Sequence, residues 1–332
     1  MRLFIHHNGG LGDLLLSLPV ISKLRQTNEL LHFAGKKDIG LFLESVNLAD
    51  EITDSGSSLY MHLYSGRENK SLSSLLRNFD FAYIFSSKKN SAVAESIRKY
   101  ISHTKIILTI PDDLSTHAAE YRFVQAFGQA LNSFEWNSLI VLPPDIKKQA
   151  EYSLKSQGYC FDRPLTSIHA GSGGPVKCWP LERYLLLAEK LITKENHFIV
   201  LFSGEAENEA FKEQLSLFAN NHSKNCLYVC GKNIATVAAF LALSDICIGN
   251  DSGISHLAGI FAKKSIVIFG PTNSAIWRPS GGDAKIVSAD VQCAPCDSKT
   301  ALLCGRECLL KISVEDICAE ITSESRTTGF HS

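Results

Sequence analysis

Hydrophobic positions in the chain gather into short, nearly continuous runs rich in Ile, Leu, Val and Phe, separated by segments in which apolar residues recur at helical spacing. Short unbroken apolar runs suit strands covered on both faces, as in a parallel sheet, and the helical segments supply the crossovers. The pattern predicts an α/β protein with strands at 3–7, 31–35, 51–53, 81–86 and 105–110, and a second series at 165–170, 198–203, 227–230, 246–249 and 266–269. Between the two series, LIVLPP at 139–144 ends in two prolines that cannot continue a helix, and the polar DIKKQAEYSLKSQGYCFDRP follows. A domain boundary is expected there, giving two doubly wound domains, 1–144 and 145–332. Ligands of open parallel sheets bind beyond the carboxyl ends of the strands, so the chemistry is expected at strand ends, in a cleft that the two domains face.

Composition narrows the class. The 332 residues carry 33 Lys and Arg against 34 Asp and Glu, a formal charge of −1 that offers no global basic field for nucleic acid. A hydrophobic fraction of 45% with 20% charged residues belongs to a folded chain, not a disordered one. No run approaches the ~18 apolar residues of a membrane-spanning helix. The apolar N-terminus is interrupted by His6, His7, Asn8 and Asp13, which argues against a signal peptide. Six cysteines are dispersed at 160, 178, 226, 230, 247 and 318, several inside strand-like runs, a usage that fits packed thiols in a reducing cytoplasm.

Four strand-end segments carry candidate chemistry. In HHNGGLGDLLLSLP, a strand runs into Gly9, Gly10 and Gly12 before a helix opens near Asp13. A dinucleotide fingerprint would need glycine where Leu15 stands, so the glycines are read as room for another molecule to approach the backbone. Asp13 is then either a helix cap or a carboxylate presented to that molecule. In SIHAGSGGPVKCWP, backbone amides, the Ser172 hydroxyl and the Lys177 ammonium share one loop, a combination suited to phosphate but lacking P-loop spacing. In SDICIGNDSGISHLAGIFAKKSIVIFGPT, a strand ends at Gly249, Asn250-Asp251-Ser252-Gly253 turns into a helix, and His256 falls in the first turn of that helix. A helix N-terminus with a hydroxyl and an imidazole beside it holds an anion without a metal, although the same residues also read as a cap and a packed histidine. In SGEAENE, Glu205, Glu207 and Glu209 are read as opening a helix, where the dipole favours them and where a carboxylate can also accept ribose hydroxyls.

Cys293, Cys296, Cys304 and Cys308 form a further set, open to three readings: structural zinc, a disulfide, or packed reduced thiols. No Asp-x-Asp occurs, so the carboxylate pair with which many sugar transferases hold a divalent metal is missing, and metal-free catalysis is the simpler reading.

Taken together, G-G-L-G-D at 9–13, K-C-W-P at 177–180, S-G-E-A-E at 203–207, D-S-G-I-S-H-L-A-G at 251–259, F-G-P-T at 269–272 and the late C-A-P-C resemble glycosyltransferase family 9, the bacterial lipopolysaccharide heptosyltransferases. The resemblance implies a GT-B fold of two Rossmann-like domains: acceptor on the first, nucleotide-sugar donor on the second, and a C-terminal helix that packs back on the first. It implies an inverting, metal-independent glycosyltransferase that moves heptose from ADP-heptose to a Kdo or heptose of the lipid A-core. The partners it implies are the donor, the lipid-linked acceptor and the cytoplasmic surface of the inner membrane, and no cofactor is required. Position by position it makes Asp13 the catalytic base, Ser172 and Lys177 diphosphate contacts, Glu207 a ribose contact, and Asp251, Ser252, Gly253 and His256 the phosphate loop. One departure stands out: the loop at 171–176 is Gly-rich where several members carry paired threonines.

On the acceptor side the resemblance points to Gly10, Gly12 and a basic face. Residues 61–105 hold eight Lys and Arg against three acids, Lys88 and Lys89 among them, and His117 and Arg122 are expected to extend that face. Such a face would steer an anionic lipid-linked acceptor and hold the enzyme peripherally at the inner face of the inner membrane. The alternatives are a nucleotide-sugar epimerase of the same architecture and a non-catalytic nucleotide-sugar-binding protein.

Overall fold

The structure, a computed structural model, describes residues 1–131, 140–281, 284–296 and 298–323. It divides into two compact units, Met1–Pro143 with Asn233–Ala235, and Pro144–Lys232 with Thr236–Ser332. Each unit is a parallel sheet with helical crossovers.

The first sheet contains β1 (Arg2–His7), β2 (Leu30–Gly35), β3 (Glu51–Asp54), β4 (Phe81–Ser86) and β5 (His103–Leu108), in the order β3-β2-β1-β4-β5. β1 is therefore flanked by the strands that follow it on one side and on the other, and the direction of winding reverses between β1 and β4. That reversal leaves a crevice beyond the strand ends. The last strand of the sheet lies two residues earlier than its apolar run suggests, because Thr109 and Ile110 leave the ladder and the Thr109 carbonyl accepts from Arg122.

The second sheet contains β6 (Leu165–His169), β7 (Phe198–Ser203), β8 (Cys226–Cys230), β9 (Ile246–Asn250), β10 (Lys264–Phe269) and β11 (Ala284–Ser288), in the order β11-β10-β9-β6-β7-β8. Here the winding reverses between β6 and β9. The edge strand β11, AKIVS, is half-buried through most of its length and has no apolar run to announce it. The apolar stretch before Pro143 forms neither strand nor helix over residues 140–143, and Leu139 lies outside the described residues. Pro144 then opens the helix Pro144–Ser156, since at a first helical position proline lacks only an N–H that has no partner there.

Helix Leu181–Glu195 buries Tyr184, Leu187, Ala188, Leu191 and Ile192 against the second sheet. The last described helix, Val314–Thr322, buries Val314 and Ile317 in the same cluster. Cys226 and Cys247 are buried in β8 and β9, and burial pushes each thiol up to about 12.

One core position in the first sheet is polar without compensation. His6 in β1 stacks on Tyr60 at 5.4 Å and 15°, and neither ring nitrogen nor the Tyr60 hydroxyl has a hydrogen-bond partner. Burial pushes the His6 imidazole down to about 4. A neutral buried histidine gains a proton on unfolding below its ordinary value, so stability falls as pH drops from about 6.5 towards 4. His6→Phe keeps the stacking and removes both orphan nitrogens. The expected result in urea titrations is a gain of about 1 kcal/mol at pH 8 that grows by about 2 kcal/mol at pH 5. Equal stability differences at both pH values would place the imidazole proton elsewhere.

Candidate functional site

The donor-type residues gather in the second unit, at the reversal between β6 and β9. Asn250, the last residue of β9, is fully buried and reaches across the reversal. Its Nδ2 donates to the Ala170 carbonyl at 2.8 Å and the Gly171 carbonyl at 3.1 Å. Its Oδ1 accepts from the Trp179 N–H and the Tyr184 hydroxyl, each at 2.9 Å. One amide thus fixes both ends of the glycine-rich loop. Trp179 is packed against the edge of Tyr184 and donates its indole N–H to the Ile312 carbonyl, so it serves the core and is not an exposed stacking platform.

Lys177 is brought to the loop's inner side by Asp251, whose Oδ2 lies 2.7 Å from Nζ and also accepts from the Thr272 hydroxyl at 2.7 Å. Ser172 Oγ donates to the Asp251 carbonyl at 3.0 Å. Asp251 is 6% exposed while the Lys177 side chain is 34% exposed. The buried carboxylate therefore fixes the position of the more exposed ammonium. Helix Gly253–Phe261 starts immediately afterwards, and Ser252 caps it by accepting from the Ser255 N–H. His256 is buried in the first turn of that helix. Free amides at this N-terminus and the Lys177 ammonium form a positive rim.

Glu207 lies before the helix Glu209–Asn221, not in its first turn; Asn208 caps that helix instead. The Glu207 side chain turns in under the sheet edge, 5% exposed. Its Oε2 accepts from the Gly204 N–H at 2.7 Å, and its Oε1 stands 3.8 Å from His169 Nε2. A side chain at Gly171 would overlap this carboxylate, which explains the glycine. His169, at the end of β6, also contacts Ser252 Oγ through Nδ1 at 3.4 Å. Burial keeps its imidazole below the usual range. Sequence patterning passed over His169, which closes a strand with nothing local to mark it as polar machinery, and read Asn250 only as part of the turn before the helix, although it is the last residue of β9.

The acceptor-type residues lie in the first unit. Gly9 approaches the start of helix Leu11–Leu15 so closely that a Cβ would stand 2.8 Å from Asp13 Cβ. The Gly10 N–H donates to Asp13 Oδ2 at 3.3 Å, while nothing lies within 4 Å of where a Gly10 side chain would project. Gly12 is half-buried within the helix. The Asp13 side chain is 44% exposed, held but open on one side. His117 caps helix Ala118–Phe127 by accepting from the Ala119 N–H. Lys88 and Lys89 are exposed beyond β4. Arg122 corrects an expectation: its side chain is completely buried and paired with Asp13, so it adds nothing to a basic surface.

The described residues bear on two of the three readings of the late cysteines, zinc and a disulfide. Among the described residues no group of three or more His, Cys, Asp and Glu is arranged to hold a metal ion. Cys308 is packed in the apolar cluster, the Cys304 thiol donates to the Ala301 carbonyl, and none of the four is joined in a disulfide. The segment instead braces the glycine-rich loop: Arg306 Nη1 donates to the Pro175 carbonyl at 3.1 Å and the Cys178 carbonyl at 3.2 Å.

Two parallel sheets with helical crossovers, in these strand orders, match the GT-B fold of solved glycosyltransferases. Residues 88–305 match the sequence profile of glycosyltransferase family 9 (heptosyltransferase), and the chain belongs to that family; it is a glycosyltransferase enzyme. Over 97% of its length it is 25% identical to the lipooligosaccharide heptosyltransferase 2 of Campylobacter jejuni serotype O:6, covering 98% of that protein. The solved structure of E. coli ADP-heptose lipopolysaccharide heptosyltransferase II superposes with a TM-score of 0.74 at 17% identity, covering 97% of each chain. That of an E. coli heptosyltransferase with ADP gives 0.67 at 14% identity, covering 97% of this chain and 99% of that one. At these identities the solved structures speak to the fold alone.

Proposed function

We propose that the protein transfers heptose from ADP-heptose to the Kdo or heptose of a lipid A-core acceptor, with inversion and without a metal ion. The observation that carries this reading is the rim in the second unit, where Asp251 holds the Lys177 ammonium beside the amides that open helix Gly253–Phe261. Such a rim answers the charge that grows on a departing diphosphate. Heptose as the sugar is supported by the names of sequence relatives, among them the lipooligosaccharide heptosyltransferase 2 of Campylobacter jejuni, and ADP belongs to the same proposal. In the scheme, Asp13 takes the proton of the acceptor hydroxyl as it attacks the anomeric carbon, the bond to the diphosphate breaks, and the nucleoside diphosphate leaves with the electron pair. Glu207 offers Oε1 to the ribose hydroxyls.

Lys88 and Lys89 are assigned to the anionic acceptor and to the membrane surface that presents it. No described helix is long and apolar enough to cross a membrane, so attachment on this reading is peripheral. The deciding experiment measures donor consumption and ADP release from ADP-heptose with and without a deep-truncated lipopolysaccharide. Release that depends on acceptor supports transfer; turnover without acceptor marks an epimerase or hydrolase, and binding without turnover a non-catalytic protein. In the same assay Lys88→Glu with Lys89→Glu is expected to raise the acceptor KM several-fold at low salt, an effect that salt erases, and to reduce sedimentation with anionic vesicles. Unchanged values at low salt confine these lysines to solvation.

A further inference from the structure

We infer that Arg122 is a positioning residue for the Asp13 carboxylate, not a ligand for the acceptor. The inference rests on the reading of Asp13 as the base. Arg122 stands on helix Ala118–Phe127, 109 positions from Asp13, and has no exposed surface. Every one of its five N–H groups has an acceptor. Nε and one Nη2 hydrogen go to the Thr109 carbonyl at 3.1 and 2.7 Å. The other Nη2 hydrogen goes to Asp13 Oδ1 at 3.2 Å. Nη1 serves the Asp13 carbonyl and Ser17 Oγ, the latter at 2.9 Å. An arginine whose donors are all committed has none left for a substrate.

The partners are as informative as the count. Asp13 is gripped at both ends: its carbonyl accepts from Arg122 and from the Ser17 hydroxyl at 3.0 Å, and its two carboxylate oxygens accept from Arg122 and the Gly10 N–H. Ser17 Oγ in turn stands 3.3 Å from His7 Nε2. Because His7 Nδ1 accepts from the Gly9 N–H, the neutral ring carries its proton on Nε2 and donates it to Ser17. His7 stays neutral, since burial and then the adjacent Arg122 push it down to about 3. Each group in the chain has one admissible role, so the carboxylate has one orientation.

Through Thr109 the same guanidinium ties the end of β5 to the turn after β1, across the intervening β4. The planar fork is needed for this. A lysine offers three donors from one atom and cannot reach Asp13 Oδ1, the Asp13 carbonyl and the Thr109 carbonyl together. Burying a guanidinium is also a poor way to stabilise a fold, where an apolar side chain of similar volume often does as well. A half-exposed carboxylate at its tip gives the buried charge a use: holding a proton acceptor within the narrow tolerance that transfer geometry demands.

The test is steady-state transfer by the full-length protein with ADP-heptose and truncated lipopolysaccharide, using Arg122→Met, Arg122→Lys and Ser17→Ala. The expected result is a kcat lowered on the order of 10²-fold in Arg122→Met and less in Arg122→Lys and Ser17→Ala, with both KM values within about twofold and ADP-induced thermal stabilisation retained. Crucially, Arg122→Met added to Asp13→Asn should lower kcat no further than Asp13→Asn alone, because a residue acting through Asp13 has nothing left to position. A merely structural arginine would make the double variant worse, and an acceptor ligand would raise acceptor KM; either result overturns the inference. Loss of transfer in Asp13→Asn with an unchanged kcat in Arg122→Met and Arg122→Lys also overturns it and leaves the base intact. Wild-type turnover by Asp13→Asn alone overturns the base, and the positioning role with it. If Arg122→Met does not fold, Arg122→Lys and Ser17→Ala decide by the same comparison.

Discussion

Asp13→Asn is expected to fold, to bind ADP as the wild type does, and to lose transfer by about 10²- to 10⁴-fold, the range in which a positioned general base contributes. The substitution is close to isosteric: the amide oxygen can still accept from Arg122 Nη2, so helix Leu11–Leu15 keeps its anchor. What it removes is the ability to take a proton. Donor affinity is the internal control, because the donor rim belongs to the other unit. Stopped-time ADP release at saturating donor and acceptor measures the loss. Turnover within a fewfold of wild type in a folded variant would reduce Asp13 to a helix-start residue.

The second large effect is expected at Lys177. Lys177→Ala removes the one ammonium on the donor rim that Asp251 holds, and a charge-stabilising donor of this kind is worth roughly 2–4 kcal/mol, a fall in kcat/KM of about 30- to 1000-fold. The fold should survive, since the Lys177 side chain is a third exposed and Asp251 keeps its Thr272 partner. Isothermal titration with ADP reads the ground-state share of the loss. Asp251→Asn should mimic part of it by releasing Lys177. If protein charge stands in for a metal, EDTA leaves wild-type activity unchanged; loss on chelation, restored by magnesium, overturns that part of the scheme.

The two halves of the molecule were unequally legible from the amino-acid order. Buried parallel strands such as FIVLFS declare themselves, because a strand covered on both faces has to be apolar throughout, and β7 falls where its run does. β11 did not, because an edge strand is covered less and AKIVS lacks the contrast with its surroundings. The turn from β9 into helix Gly253–Phe261 was readable because its parts are local: an aspartate, a serine and a glycine between a strand and a helix. Arg122 was misplaced because an arginine in an amphipathic helix is most often solvated, and the partner that buries this one is more than a hundred residues away. Glu207 was set on a helix because acids favour first turns, yet Asn208 caps that helix and leaves Glu207 free to turn inward.

The loop between β6 and helix Leu181–Glu195 is tied at both ends by Asn250 and braced near the second by Arg306, while Ser172 is pinned to the Asp251 carbonyl between them. Glycine-rich loops that wrap a ligand usually lose much conformational freedom on doing so, at about 1–2 kcal/mol for each backbone residue fixed. Here the freezing has largely been done by folding, at the cost of global stability and not of affinity. The thermodynamic signature of nucleotide binding should accordingly lack the large adverse entropy of an ordering loop, and loosening the tether from a distance, at Arg306, should reintroduce it without touching a single ligand contact.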